Sequence, residues 1–390
     1  MQILFLPKWY PNKNGLLDGI FVRRHAEAVA QYENVTVLHA TTDFSKSKKL
    51  FFFEEKTVNK NLTELIYYYK KEITGIVLLD RIIKMSLYFL CMYKGFVRIK
   101  NSSRKPDISH VHVPLRTDLF ALFLHYFENI PFVHTEHWSG YLPEDGSYKG
   151  WIQKTLTKFS ISKAKYIMPV TQHLANAMQQ HGIVGNYQIV SNVVRTDKFI
   201  LGDDNIVNQK KIALHISNFD PKAKNMEGIL HVVAEISKTR NDFELWIVGY
   251  SSAIETLKTL AEELDILNKE VFFLGKKVDQ ELIGIIQKSD FLFMFSNYES
   301  QPCVIMEAMS CGKPILSSSV GGIPEMLGTT RGLLSEPKNT EMMIVKMNEM
   351  LDNLFNFDSI KIRQFAIEHF SYANVGNQIV HVYKKSLGLC

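Results

Sequence analysis

The chain has 390 residues, 46% of them hydrophobic and 22% charged, with a formal net charge of +5. That length exceeds what one hydrophobic core usually supports, so two domains are expected. No apolar stretch is long enough to span a bilayer. Cys91, Cys303, Cys311 and Cys390 show neither metal-ligand spacing nor a disulfide-dense pattern, which points to a reducing, cytosolic setting. The opening apolar run, residues 1–7, is too short and too uncharged in front to read as a signal peptide.

Apolar strand-like runs alternate with helical patterns along the chain. The first half offers strands at residues 3–6, 35–38, 65–69, 108–112, 131–135, 166–170 and 188–190. The second offers 212–216, 245–248, 271–274, 291–295 and 315–317. Helices between them predict an α/β fold of two doubly wound parallel sheets covered on both faces. The polar stretch 201–211 is the expected linker. It divides a first domain at 1–200 from a second at 201–370, with a last helix at 371–390. No internal repeat or low-complexity tract occurs.

Charge divides unevenly between the halves. Residues 1–195 carry 25 Lys+Arg against 15 Asp+Glu, and residues 196–390 carry 20 against 25. Most of the excess lies at 46–105, where 14 basic residues face five acidic ones. Within it, residues 76–98 read as a helix with a broad apolar face and a basic stripe at Arg81, Lys84, Lys94 and Arg98. Such a helix suits an anionic membrane surface, and it equally suits a core-packed helix with solvated lysines. No nucleic-acid reading motif accompanies the charge.

The chemistry concentrates at Glu299-Ser-Gln-Pro-Cys-Val-Ile-Met-Glu307. The apolar run 291–295 precedes it as a strand buried on both faces. Ser300 can act as an N-cap with Pro302 in the first turn, so a helix is expected from Gln301 or Pro302, and Gly312 with Pro314 stops it. Glu299 then leaves a strand while Glu307 lies about one and a half turns into the helix. Unpaired N–H groups and the dipole make such a helix start a seat for phosphate, and flanking carboxylates accept hydrogen bonds from sugar hydroxyls. Two incidental surface glutamates are the alternative on spacing alone.

The surrounding residues, through Cys311-Gly-Lys-Pro-Ile-Leu316 and Val320-Gly-Gly-Ile-Pro-Glu325, closely resemble the donor-binding signature of the retaining glycosyltransferases of family four. The resemblance covers most of the chain and is strongest over 212–334. It implies the GT-B architecture, two Rossmann-like domains facing a central cleft, with the last helix crossing back onto the first domain. It implies that Glu307 holds the donor ribose, that Glu299 contacts the transferred sugar, and that Gln301, Cys303 and Val304, with Ser300 and Pro302, line sugar and diphosphate. His137, in the Thr-Glu-His segment after residues 131–135, would contact the sugar. Gly19 belongs to the family's glycine loop, and otherwise reads as a turn glycine. Gly275, in the loop 274–276, would meet the base.

Lys224 is placed to neutralise the leaving diphosphate. Lys222 is its rival, and Asn218 stands where the family usually has arginine. Asn192 departs from the usual pattern and reads as an interdomain support. Arg23 and Arg24 read as solvated helix residues, with contact to an anionic acceptor as the alternative. His110 and His112 read as supports under the cleft. His134 and His137 have no third ligand nearby, so no metal site is expected.

The resemblance implies a retaining transferase moving a sugar from a nucleotide-sugar donor to a glycan or lipid-linked acceptor, in cell-envelope polysaccharide synthesis. It would work at the inner membrane face, with no cofactor and no nucleic-acid partner. No Asp-x-Asp pair occurs, so transfer independent of metal is expected. A nucleotide-sugar epimerase or a non-catalytic sugar-binding subunit keeps the same cleft as an alternative. A dinucleotide-dependent oxidoreductase is disfavoured because no Gly-x-Gly is present.

Overall fold

A computed structural model describes residues 1–45, 49–102, 105–202 and 209–389. Residues 203–208 of the expected linker lie outside the described residues, as do Lys46, Lys48 and Arg104 of the basic window and Cys390.

The first sheet contains β1 (Gln2–Pro7), β2 (Asn34–Asp43), β3 (Phe51–Asn59), β4 (Leu62–Lys70), β5 (Ile108–His112), β6 (Phe132–Glu136) and β7 (Ile167–Pro169). Its order is β3-β4-β2-β1-β5-β6-β7. All neighbours are parallel except the β3–β4 pair, an antiparallel hairpin at one edge. The sequence reading placed a strand only on β4. β3 reads weakly because half of its residues are charged or polar and most are exposed. The expected strand at 188–190 forms no ladder of its own, although Gln188 and Val190 donate backbone hydrogen bonds to Ile167 and Pro169.

The second sheet contains β8 (Lys211–Ser217), β9 (Phe243–Gly249), β10 (Val271–Gly275), β11 (Phe291–Met294), β12 (Ile315–Ser318) and β13 (Gly332–Ser335). It is wholly parallel in the order β10-β9-β8-β11-β12-β13. Counted within its own half, this is 3-2-1-4-5-6, the doubly wound order whose chain direction reverses between the first and fourth strands. The parallel strands of the first sheet, from β4 to β7, repeat it. β13 went unread in the sequence because only Leu333 and Leu334 of its four residues are strongly apolar, and both are half-buried.

Each sheet is covered on both faces. One face of the first sheet carries Phe5, Val37 and Tyr68 under the helix Ile20–Val29, and the other carries Leu4, Leu38 and Tyr67 under Val77–Ser102, which contributes Cys91 and Phe96. In the second sheet Phe291 and Phe293 face one core while Leu292 and Met294 face the other. This both-sided burial explains their unbroken apolar runs.

The last helix, Tyr372–Ser386, packs against the first domain. Gly376 lies so close to Ile20–Val29 that a Cβ there would stand 2.5 Å from the Ala28 carbonyl. Val375, Ile379 and Tyr383 complete the first core. The Tyr383 hydroxyl sits 2.6 Å from His110 Nδ1, fully buried. Replacing Tyr383 with Phe should therefore leave one buried imidazole nitrogen unmatched and cost about 1–3 kcal/mol. A denaturant midpoint unchanged from wild type would show that this hydroxyl holds nothing in place.

Candidate active site at the interdomain cleft

In doubly wound sheets the crevice beyond the strand ends, at the reversal point, is where ligands sit. In the second sheet that point lies between β8 and β11, and the loops leaving these strands carry Lys224 and Glu299. Asp220 fixes the first loop, its carboxylate accepting from the Lys222 and Ala223 N–H groups, with Pro221 opening the helical turn Pro221–Lys224. Asn225, in the left-handed region at φ 45, ends that turn directly after Lys224. Lys224 Nζ then reaches Glu299 Oε1 at 2.5 Å, and Ser296 Oγ donates to the same oxygen at 2.9 Å.

The helix Cys303–Ser310 begins later than the sequence suggested. Pro302 is the N-cap residue, in extended conformation, and no side chain caps it. Ser300 Oγ is buried without a partner rather than capping. The loop is instead held by glycines: Gly321 has φ 55, and a Cβ there would stand 1.8 Å from the Glu299 carbonyl oxygen. Gly322 N–H also donates to the Ser300 carbonyl at 2.9 Å. The first helical turn keeps its unpaired N–H groups at Cys303 and Val304.

Glu307 is 4% exposed and its Oε1 meets Arg24 Nη2 at 2.7 Å. Arg24 belongs to the first domain, so the expectation of a solvated arginine is overturned: packing of Ile20–Val29 against the second domain buries it. Burial opposes its charge, but Glu307 outweighs that and strengthens it. Arg24 Nη1 is buried and unpartnered. Burial also pushes the Cys303 thiol up to about 11, with Arg24 pulling the other way. Arg23, also expected in solvent, pairs with Glu64 at 3.0 Å and Glu27 at 3.5 Å.

Other polar bridges cross the cleft. Gln301 Oε1 accepts from Asn192 N–H at 2.7 Å and its carbonyl from Asn192 Nδ2 at 3.1 Å. Glu325 accepts from Gln172 and His173 N–H, at 2.9 and 2.7 Å, at the start of the helix Gln172–Gln180. Lys222 is committed to the Asp145 carbonyl, which leaves Lys224 alone at Glu299. Asn218 is exposed after β8, its side chain 3.4 Å from Asp220 N–H. Gly275 ends β10 at φ 72 with open space around it. Gly19 is the N-cap of Ile20–Val29 at φ 64, and a Cβ there would stand 2.3 Å from the Trp9 carbonyl oxygen, so the backbone itself requires glycine.

On the first domain the reversal point lies between β1 and β5. His112 ends β5, and His137 follows β6. Asn192 orients His137: because its amide nitrogen donates to Gln301, its Oδ1 accepts from His137 Nδ1 at 2.9 Å. His137 Nε2 is then the bare nitrogen, accepting from His112 Nδ1 at 3.0 Å. His25 stacks edge-on to both rings, at 5.6 and 5.2 Å. Burial holds His25 down to about 3, and burial with mutual repulsion keeps His112 and His137 well below the usual range. The expectation that no third imidazole stands near His137 is thus corrected by two residues far away in sequence.

His134 behaves oppositely. It is fully buried between Asp118, 3.0 Å from Nδ1, and Glu136, 3.3 Å from Nε2. Burial works against its charge, yet the two carboxylates outweigh it and lift His134 to about 10. Glu136 Oε1 in turn accepts from the His137 and Trp138 N–H groups, both at 2.9 Å, so this charged ring anchors the loop that carries His137. A group raised from 6.5 to about 10 on folding stabilises fully below pH 6.5 and loses that contribution as pH rises through 10. The stability of wild type over His134→Gln should therefore be greatest in acid and shrink toward pH 10. Denaturation curves showing a constant difference across that span would mean His134 is neutral.

Comparison with known proteins agrees with this geometry. Residues 69–198 match the family described as Glycosyltransferase Family 4, and residues 197–360 match Glycosyl transferases group 1. The chain is 28% identical over 295 residues to an N-acetyl-alpha-D-glucosaminyl L-malate synthase of Bacillus anthracis, covering 71% of this chain and 74% of that one. It is 26% identical over 174 residues to an O-antigen chain mannosyltransferase B of Escherichia coli, covering 44% and 45%. Among solved structures it resembles the HepE protein of Anabaena in complex with UDP, with a TM-score of 0.75 at 16% identity over 99% of this chain and all of that one. The fold is GT-B, and the chain belongs to glycosyltransferase family four.

Proposed function

We propose that the chain transfers a hexose from a nucleotide-diphosphate sugar, with retention of configuration and without a metal ion, to a glycan or lipid-linked acceptor of the cell envelope. One observation carries this reading: two buried carboxylates, Glu299 and Glu307, flank an uncapped helix start at a sheet reversal point. The diphosphate sits on the helix N-terminus. Glu307 takes the ribose hydroxyls, which replace Arg24 on Oε1. Glu299, steadied by Ser296, holds the hexose together with His137. Gly19, Ser300, Gln301, Pro302, Cys303 and Val304 line the sugar and diphosphate, while Asn218 and Gly275 border the nucleotide.

As the glycosidic bond breaks, charge develops on the leaving phosphate, and Lys224 with the helix dipole stabilises it. The departing phosphate oxygen accepts the acceptor proton on its own face, which gives retention. The names of the Bacillus and E. coli relatives, a glucosaminyl L-malate synthase and an O-antigen mannosyltransferase, support sugar transfer, and the second supports an envelope acceptor. The UDP-bound Anabaena structure supports a nucleoside-diphosphate donor.

Screening UDP-, GDP- and ADP-sugars for thermal stabilisation identifies the donor, since a ligand at 100 times its Kd adds about 2.7 kcal/mol. With that donor, Glu299→Gln should lose about 100-fold or more in transfer while still binding it. Glu307→Gln should weaken donor binding by about 10–100-fold, the worth of hydrogen bonds to a charged group. Chelator should leave the wild-type rate unchanged. Full transfer by Glu299→Gln, or reversible loss on chelation, would sink the reading.

A peripheral membrane contact is proposed with it. No helix among the described residues is long and apolar enough to cross a membrane. The helix Val77–Ser102 buries Leu87, Cys91 and Phe96 further along, but its first turns expose Val77 (77%), Leu78 and Ile82 beside Arg81 and Lys84. The helix Trp151–Ile161 likewise exposes Trp151 (77%), Ile152 and Phe159 beside Lys154 and Lys158. Apolar wedges ringed by lysine suit an anionic lipid surface. Sedimentation with vesicles containing anionic phospholipid should capture the protein, less so at high salt, and Val77→Ser with Leu78→Ser should reduce capture. Equal capture by neutral vesicles, or by the double variant, would remove the lipid contact.

A further inference from the structure

We propose that His25, His112 and His137 bind one borderline divalent transition ion, of the class of Zn2+ or Co2+, at the floor of the cleft. The three rings come from separate elements: the helix Ile20–Val29, the end of β5 and the loop after β6. Among the described residues they are the one group of three or more histidine, cysteine or carboxylate side chains whose ligand atoms all lie within 4.8 Å of one another. Their chemistry selects the ion. Imidazole without carboxylate suits zinc, cobalt, nickel and copper, whereas magnesium and calcium require oxygen ligands.

The rings are oriented as metal ligands are oriented. A ligating histidine donates its other N–H to a carbonyl or carboxylate, which fixes the tautomer and aims the lone pair. His137 does this through Nδ1 to Asn192 Oδ1 at 2.9 Å, leaving Nε2 bare. His25 is backed by the Ser191 carbonyl. No well-aligned hydrogen bond satisfies either ring nitrogen of His25 or Nε2 of His112, although all three atoms are buried. Buried lone pairs without a donor are costly, and an ion satisfies several at once.

The spacing fits with small adjustment. Two ligands on a tetrahedral zinc with bonds of about 2.0–2.1 Å stand about 3.3 Å apart, and His112 Nδ1 is already 3.0 Å from His137 Nε2. His112 can ligate through Nε2, which is bare, or through Nδ1 once its proton crosses the ring. His25, whose ligand atom lies within 4.8 Å of the other two, then closes in by up to about 1.5 Å. His137 alone of the three retains exposure, 8%, so the fourth position opens on the cleft and takes water or a sugar hydroxyl. With His137 serving the transferred sugar as proposed above, a bound ion occupies its lone pair and zinc inhibits transfer reversibly. This last consequence alone rests on the transferase mechanism.

The test uses the full chain after chelator treatment. Equilibrium dialysis should find one Zn2+ per chain. Co2+ should give a visible d–d absorption band, displaced by Zn2+ and insensitive to millimolar Mg2+, without the ultraviolet charge-transfer band of a cysteine thiolate. His25→Gln and His112→Gln should each weaken Zn2+ binding by at least about 100-fold, since even partners behind the ligands are worth 10–100-fold. No saturable ion binding by wild type, a thiolate band, or wild-type affinity in both variants would overturn the site. The wild-type cobalt spectrum decides even where a variant fails to fold. Ion binding is measured without donor, so a wild type that binds zinc but, once chelator has removed it, still transfers no sugar would refute the transfer mechanism and leave the site standing.

Discussion

The cleft depends on burying two carboxylates beside a helix start with neither charge left unmatched. An ionised carboxylate taken out of water without a partner is costly enough that proteins pair or neutralise it. Glu299 finds its cation in its own domain, where a four-residue turn ends on Lys224. Glu307 finds its cation in the other domain, on Arg24. The electrostatics of the second domain's loops are therefore completed by the first domain. Domain closure and charge balance are one arrangement, further tied by Asn192 to Gln301 and by Glu325 to the start of Gln172–Gln180.

The topology makes that arrangement possible. Two sheets with the same internal order, facing through their reversal points, bring four loop systems into one space: those after β1 and β5 with those after β8 and β11. Much of this is legible in the sequence, because strands covered on both faces show as uninterrupted apolar runs such as residues 291–295. β3 was not, since it is an exposed edge with charged residues on it. β13 has only two strongly apolar residues between a glycine and a serine, and the start of Cys303–Ser310 was misplaced because the glycine pair at 321–322, rather than a capping serine, shapes the loop.

The site was legible where it is local and opaque where it is not. Glu299, Glu307 and Lys224 announce themselves through nearby strands, turns and caps. Arg24 does not: nothing in residues 20–29 says that a helix from the far domain lies against them. The histidines divide the same way. His134 and His137 sit in one short segment, yet two carboxylates hold the first charged while burial keeps the second neutral. Only the packing of Ile20–Val29 over β5 and β6 reveals that His25 and His112 share a space with His137.

The crossing of Tyr372–Ser386 onto the first domain also orders how the chain assembles. Val375, Ile379 and Tyr383 fill the core over β1 and β2, which are made well before them. A nascent chain that has released only its first half therefore carries an apolar groove beside Ile20–Val29 and a buried-type histidine, His110, without its hydroxyl partner. Domains generally fold as they emerge from the ribosome, and exposed groove surface invites misassembly until it is covered. Here the covering residues arrive only after the whole second sheet. The first domain must wait, incomplete, for that sheet to be synthesised before its own interior closes.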